Sequence, residues 1–471
     1  MEFYKQGLFL ILAFFVALAF IIISIVKFKL HPFLALLLGA LLMGVSSGMP
    51  LADILANIGQ GFGGIMSEIG IIVFLGVILG QILHDSGCTR QIAHKMLSIV
   101  GAKKAPTAIN LTGYIISIPV FFDVAFIILI SLLKQLSKEG KLAFNALVTA
   151  LVVGLMVTHA MVIPTPAPVA VAGQFKANIG WFIVYGMLIS LPASLVAGVL
   201  YTKWLGSKRP VWVRDPEYAD TPELDTEQAT PAKSAEANTN TSEESADQPS
   251  GTLGILYILL PILLIILAKI VLAFIPEGTT AHNVTAFLGD TVIILLFTVF
   301  VVFLGLKRFL RDSFDTVITE ATTSVGVILA IIGAGGAFGT VISATGLGDD
   351  IVTIMHAWNM PIMFLGFLLA MFLHAGLGSV TVALVTSAAV VQPIAMQMGV
   401  DPILCGLAIC AGGMGMGLPS DSGFWTVSRF SQFTTQETFW VYTIPLTIAS
   451  FTAMAVIACL SFFSAHLPGL M

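Results

Sequence analysis

The sequence predicts an all-α polytopic membrane protein with two inverted-topology repeats, about ten transmembrane helices and two re-entrant hairpins. Three observations lead to this prediction. The 471-residue chain is unusually apolar, its sequence features repeat at an interval near 258 residues, and glycines and polar residues interrupt two of its apolar stretches.

Composition indicates that the chain lies in a lipid membrane. Hydrophobic residues make up 57% of the chain, charged residues 10%, and the mean hydropathy is +0.99. Such a chain cannot present water with a surface of ordinary polarity. Apolar runs such as 8–27, 252–275 and 285–306 can each cross roughly 30 Å of hydrocarbon as a helix. The first run lacks a small-residue cleavage site, so we expect it to be retained.

The four cysteines do not have the spacing of a metal site. We therefore expect no metal and no cofactor. The lipid bilayer is the expected surroundings, and no nucleic-acid partner is expected.

Residues 206–250 differ from the rest of the chain. They hold ten acidic residues against four basic ones, among many threonines, serines, alanines and prolines. This composition predicts a disordered acidic linker. A calcium-binding or partner-binding tail is the alternative, but a solvated spacer is the simpler interpretation. The predicted units are a first repeat (1–205), the linker (206–250) and a second repeat (251–471).

The sequence on the two sides of the linker is similar. GQILHDSG at 80–87 resembles GTVISATG at 339–346, and the DVAF that begins at Asp123 falls opposite the TVAL that begins at Thr381. PTPAP at 164–168 falls opposite DSGFW at 421–425. A constant offset across three matches indicates an internal duplication.

Five spans are predicted in each half, and an odd number inverts the second half relative to the first. The spans are 8–27, 33–48, 68–83, 142–162 and 180–204, then 252–275, 285–306, 325–344, 402–418 and 437–463. Basic residues such as Lys27, Arg90 and Arg308 then share one side, which is cytoplasmic by the positive-inside rule. Both termini are predicted outside and the linker inside. Lys176 is the exception, near the outer side.

Two apolar stretches do not fit as single crossings. Residues 106–133 are interrupted at Pro119, carry Asp123 and have basic residues at both ends, which predicts a hairpin from the cytoplasmic side. Residues 360–397 mirror it from outside and break around 376–379. Such breaks survive in lipid only where protein or a cavity surrounds them. Paired re-entrant elements in inverted halves are typical of a transporter's binding site. Amphipathic stretches at 51–65 and 309–323 are predicted to lie at the interface.

Several motifs resemble one family. They are FFDVAFIILISLL from Phe121, PTPAP at 164–168, SATGLGDDI at 343–351, GSVTVALVTSAAVV at 378–391 and SDSGFW at 420–425. They resemble the gluconate permeases, the gluconate:proton symporter family of the ion transporter superfamily. The resemblance implies uptake of gluconate or a related sugar acid by proton symport, or of D-serine or another small hydroxy-carboxylate in some branches. It further implies a bacterial inner-membrane homodimer with a scaffold and an elevator-type transport domain.

The sequence departs from the family pattern at two places. Members commonly read R-x-x-Q-G-S before TVA, where this chain has His374 and Leu377. They commonly read S-H-V-N before D-S-G-F-W, where this chain has Gly417-Leu418-Pro419-Ser420. The substrate is therefore left open between gluconate and another small carboxylate, and sodium stays an alternative coupling ion.

A sugar acid presents one carboxylate and several hydroxyls, so its site needs N–H groups at helix ends and many polar partners. The candidate substrate-binding residues are Asp123, Thr165, His374, Gly378, Ser379, Thr381, Ser420, Asp421 and Ser422. The candidate proton-coupling residues are Asp123 and His159, because desolvation disfavours a charged carboxylate and so suits a proton carrier.

Each candidate also has a structural interpretation. Asp123 could bond a facing helix end, His374 could close one, and His159 could serve helix packing. Ser379 and Thr381 could cap the break, a role compatible with also touching a ligand.

Two other function classes fit the sequence less well. Gly378-Ser379 with His159 or His374 superficially suggests an intramembrane serine hydrolase, but no nucleophile-elbow sequence accompanies it. A channel would need polar residues along a whole pore, whereas those here cluster at the two breaks.

Overall fold

The structure, a computed structural model, describes residues 7–100, 105–214, 248–276, 278–347 and 361–470. All regular secondary structure in these ranges is helical. Most of the predicted linker, residues 215–247, lies outside the described residues, as do residues 348–360.

Ten α-helices are described in the first half. They are α1 (Gly7–Val26), α2 (Pro32–Ser46), α3 (Leu51–Asp85), α4 (Cys88–Val100), α5 (Ala105–Ile116), α6 (Phe122–Gly140), α7 (Phe144–Met161), α8 (Pro166–Gln174), α9 (Ile179–Leu195) and α10 (Thr202–Lys208). A π-helical turn, Val196–Tyr201, makes α9 and α10 continuous.

The helices described in the second half follow a similar order. They are α11 (Gly251–Phe274), α12 (Thr280–Leu288), α13 (Thr291–Leu306), α14 (Phe314–Thr345), α15 (Ile362–Leu377), α16 (Val380–Gln397), α17 (Pro402–Gly413), α18 (Ser422–Ser431), α19 (Thr435–Thr438) and α20 (Ile444–Ser461). A second π-helical turn, Phe439–Thr443, joins α19 to α20. Helices α6 and α16 begin at Phe122 and Val380, 258 residues apart, and α7 and α17 begin at Phe144 and Pro402 with the same separation.

By length and composition, the described part of the chain has seven helices able to cross a membrane, or eight if the bent pair α12–α13 counts as one span. The sequence predicted about ten. Within α1 only Leu12–Ile25 counts, which is shorter than a span, while Val380–Gln397, predicted as part of a hairpin, is long enough to cross. Predicted spans at 33–48 and 402–418 form helices of only 15 and 12 residues. At 1.5 Å per residue, neither covers the hydrocarbon core alone.

The stretch at 51–65 is not a separate interfacial helix. It is continuous with the third span in α3, a single helix of 35 residues and roughly 50 Å. No proline interrupts it, and isolated glycines are tolerated inside a helix that packs well. Likewise, α14 begins at Phe314 and runs for 32 residues through the second predicted interfacial stretch.

Helices α3 and α14 pack against each other in opposite directions. Near one end, a side chain at Gly61 would collide with Gly336. Near the other end, Gln81 Nε2 donates to Glu320 Oε2 at 2.8 Å. Residue numbers therefore rise along α3 while they fall along α14, and glycines permit the close approach.

Helix α7 lies at the centre of the first half, and all of its residues are buried. Helix α5 packs along α7, because Gly154 of α7 contacts Asn110 of α5. Phe121, in the break after α5, lies 6.2 Å from His159, measured between the ring centroids. Helix α6 then leads back towards the start of α7 at Phe144. The stretch 106–133 is thus two helices with a break at 117–121, where Pro119 predicted one.

The second interrupted stretch also forms two helices. Helices α15 and α16 pack together and are joined at Gly378 and Ser379, within the predicted break. We call these two residues the hairpin tip. Gly378 has φ +67°, a left-handed conformation that glycine adopts readily. Helices α7 and α17 are each followed by a non-helical break, at 162–165 and 414–421.

Candidate functional site

Asp421 lies at the centre of a buried polar cluster. It caps the N-terminus of α18, where its Oδ1 accepts from the Gly423 N–H at 2.9 Å. Its Oδ2 accepts from the Tyr442 hydroxyl at 2.6 Å and lies 3.1 Å from His374 Nε2. Three elements, α15, the 414–421 break and the π-helical turn before α20, therefore meet at one carboxyl group.

His374 is fully buried in the last turn of α15. Its Nδ1 lies 2.8 Å from the carbonyl oxygen of Gly415. Both ring nitrogens thus have a partner in the 414–421 break, Gly415 near its start and Asp421 at its end. The imidazole therefore joins α15 to the break.

Asp123 and His159 lie at the other side of the same cluster. Asp123 is in the first turn of α6, where Thr426 and Asp421 are close enough to act on its charge. Its Oδ1 and the Nδ1 of His159 are both buried without a hydrogen-bond partner. Asp421 is also close enough to act electrostatically on His159. Unsatisfied buried polar atoms are rare, and they favour a site that a ligand or water completes.

Thr165, in contrast, satisfies its hydroxyl locally by donating to the carbonyl oxygen of Val162. Thr381 lies half-buried in the first turn of α16, and Ser422 is exposed at the start of α18. Their roles in binding stay predictions.

The hairpin tip is seated on the break that precedes α18. A side chain at Gly378 would collide with the carbonyl oxygen of Ser420. The Ser420 hydroxyl in turn donates to the Ala375 carbonyl oxygen at 2.7 Å. Ser379 caps α16, with its Oγ 3.4 Å from the Val382 nitrogen.

A cavity of about 350 Å³ lies beside this tip. On one side it is lined by Gly376, Ser379 and Ser420, and on the other by Lys29 and His31 from the loop between α1 and α2. Lys29 and His31 were not predicted as site residues. Their basic character was visible in the sequence, but nothing there indicated that this loop would reach a tip more than 340 residues away.

No group of three or more His, Cys, Asp or Glu side chains within the described ranges is arranged to hold a metal ion.

Comparison with known proteins gives consistent matches. Residues 9–463 match the family described as GntP family permease. The low-affinity gluconate transporter of Escherichia coli K12 is 31% identical over 93% of this chain and 95% of its own length. The D-serine transporter DsdX of the same strain is 32% identical, with 95% and 97% covered.

A solved structure has the same fold. The YdaH transporter of Alcanivorax borkumensis superimposes with a TM-score of 0.65 at 14% identity, over 94% of this chain and all of that one. These proteins are permeases and transporters, which excludes the hydrolase alternative. The chain is a multi-pass membrane transport protein and belongs to the GntP permease family.

Proposed function

We propose that this protein imports gluconate, or a related sugar acid or small hydroxy-carboxylate, together with a proton. The observation that carries the proposal is the chemistry of the cavity at the hairpin tip. Lys29 offers positive charge and His31 a ring N–H to one carboxylate, while Ser379 and Ser420 offer hydroxyls to a polyol. Its volume, about 350 Å³, falls within the usual range of small-molecule pockets.

The backbone adds to this chemistry. The first N–H groups of α16 follow Ser379 directly, and the N-terminus of a helix favours an anion. Lys29 has no ion-pair partner among the described side chains, so a substrate carboxylate would not have to displace one.

D-serine is the second candidate, because a D-serine transporter is as similar to this chain as a gluconate transporter is. An amino acid carries an ammonium group as well as a carboxylate. The described lining of the cavity contains no aspartate or glutamate. We therefore favour a hydroxy acid, whose uncharged end matches the serines.

We further propose that the two halves, 1–205 and 251–471, are inverted repeats joined by the acidic segment 206–250. The constant interval between helix starts and the antiparallel pairing of α3 with α14 support this arrangement. In this arrangement the protein is a homodimer in a bacterial inner membrane, with both termini outside and the linker cytoplasmic.

An elevator-type movement is the mechanism that we propose. Glycines of the α3–α14 pair face the hairpins, since a side chain at Gly80 would meet Pro119 and one at Gly339 would meet Ala389. Surfaces without side chains let two groups of helices approach closely and slide. Substrate and proton would neutralise the site, and uncompensated charge would oppose the movement.

Uptake into liposomes containing the purified protein tests the proposal. An inward proton gradient should concentrate labelled gluconate or another sugar acid, and unlabelled D-serine should compete poorly. Preferential accumulation of D-serine would overturn the substrate class. A requirement for sodium would replace the coupling ion, and passive equilibration without accumulation would indicate a channel.

A further inference from the structure

We propose that the transported proton is held between His374 and Asp421, and that it fastens the hairpin tip to the break before α18. This inference rests on the proposed proton symport. It differs from the sequence-based prediction, which placed the proton on Asp123 and His159.

The hydrogen bonds of His374 fix the proton count. A carbonyl oxygen can only accept, so the Nδ1 that contacts Gly415 must carry a hydrogen. The contact between Nε2 and Asp421 Oδ2 then needs one more proton. That proton lies either on Nε2, as imidazolium beside carboxylate, or on Oδ2, as neutral imidazole beside carboxylic acid.

Removal of this proton makes the contact unfavourable. The lone pair of Nε2 would then face a carboxylate oxygen 3.1 Å away, in a site where His374 is wholly buried and Asp421 is 4% exposed. Water is not available there to separate the two groups. The pair must take up a proton again or move apart.

Separation would release the hairpin tip. His374 lies four residues before Gly378, and Asp421 directly follows Ser420. Three contacts hold these segments together: His374 Nε2 with Asp421, His374 Nδ1 with the Gly415 carbonyl oxygen, and the hydrogen bond from Ser420 to Ala375. Loss of the proton removes the contact between His374 and Asp421, so these segments keep only the Gly415 and Ala375 contacts.

Substrate and proton therefore act on one element without sharing an atom. The cavity that would hold the substrate is lined by Gly376, Leu377 and Ser379 of the same hairpin. The proposed proton site, between His374 and Asp421, is not part of that lining. A tip that closes only when both are bound would couple their movement.

The ionisable groups around the His374–Asp421 pair come from several elements. Tyr442 donates to Asp421, while Asp123 and His159 act on it electrostatically from α6 and α7. Lys29 and His31 line the substrate cavity and form no hydrogen bond with the pair among the described residues. Asp123 is the rival proton carrier, but no ion pair joins it to a basic side chain in the described structure.

Asp421→Asn provides the test. An amide can still accept from Gly423 and can donate to Nε2 of a neutral His374, so it imitates the protonated pair without a proton to release. We expect this variant to bind substrate and to exchange it across the membrane. Uphill accumulation and substrate-driven proton flux should both be lost.

Two further variants keep the test decisive. His374→Gln should also abolish proton flux, because an amide can donate to Asp421 but cannot titrate. Asp401→Asn is the matched control, since Asp401 is a buried aspartate that caps α17 through the Leu404 N–H at 2.8 Å. It should retain proton-coupled uptake.

The outcomes separate the two proposals. Proton flux that persists in both Asp421→Asn and His374→Gln would overturn the assignment, and its loss in Asp123→Asn instead would return the proton to Asp123. Wild-type uptake without any proton flux would overturn proton symport itself and the assignment with it.

Discussion

Gly378 and Ser420 are in such close backbone contact that no side chain fits between them. The contact seats the hairpin tip on the break before α18, beside the candidate cavity. It joins two segments that are both non-helical, so glycine is required by the packing as well as by the left-handed φ of +67°.

Gly378→Ala should therefore weaken both stability and substrate binding. The left-handed conformation alone costs a non-glycine residue about 1–2 kcal/mol, and the collision with the Ser420 carbonyl adds to that. Gly399→Ala is the matched control, because Gly399 has φ +63° with open space around it. Thermal unfolding with and without substrate measures both effects. Equal losses in the two variants would contradict a role for the contact.

Lys29→Gln should raise the substrate concentration needed for half-maximal uptake roughly two- to fivefold, the effect of losing a solvent-exposed ion pair. The maximal rate should change little. Lys27→Gln removes the same charge from the same loop, but Lys27 does not line the cavity. If both variants behave alike, the loop acts through its overall charge and not through contact with substrate.

Asp421→Ala should destabilise the protein much more than Tyr442→Phe. The alanine leaves the buried His374, Tyr442 and the Gly423 N–H without their acceptor, and each unsatisfied group costs about 1–3 kcal/mol. The phenylalanine removes one donor and leaves Asp421 two other partners. Thermal melting in detergent measures the difference. Similar melting temperatures would mean that the cluster relaxes or admits water.

Gly80→Ala should impair transport, because a methyl group on α3 would collide with the carbonyl oxygen of Pro119 in the first hairpin break. Gly70→Ala on the same helix meets nothing within 4 Å and should be tolerated. Initial rates of uptake, at equal amounts of folded protein, compare the two. Normal uptake by Gly80→Ala would show that this close approach is not needed during the transport cycle.

The two helix breaks illustrate what local sequence can predict. Proline lacks an N–H and ends or kinks a helix, so Pro119 locates the first break. Glycine adopts left-handed backbone readily, so the glycines around Gly378 locate the second. Both signals are properties of a few consecutive residues. The continuity of α3 was missed because an amphipathic stretch and an apolar span can share one helix when nothing interrupts them.

The partners of Asp421 illustrate the opposite case. A buried carboxylate predicts that partners exist, and both Asp421 and His374 were candidates. No pattern indicated that they would meet each other, or that Tyr442 would complete the cluster. The packing of the helices brings His374 to Asp421, 47 residues away. It also brings Lys29 to the hairpin tip in the other half.

The sequence by itself determined that this chain spans a membrane, that its halves are similar and that it belongs to a family of permeases, because composition and repeated motifs are linear properties. The tertiary structure alone decided which polar groups meet in the buried cluster and which loop faces the hairpin tip. Those relationships depend on distances of about 3 Å between residues remote in the chain, and only the packing of the helices sets them.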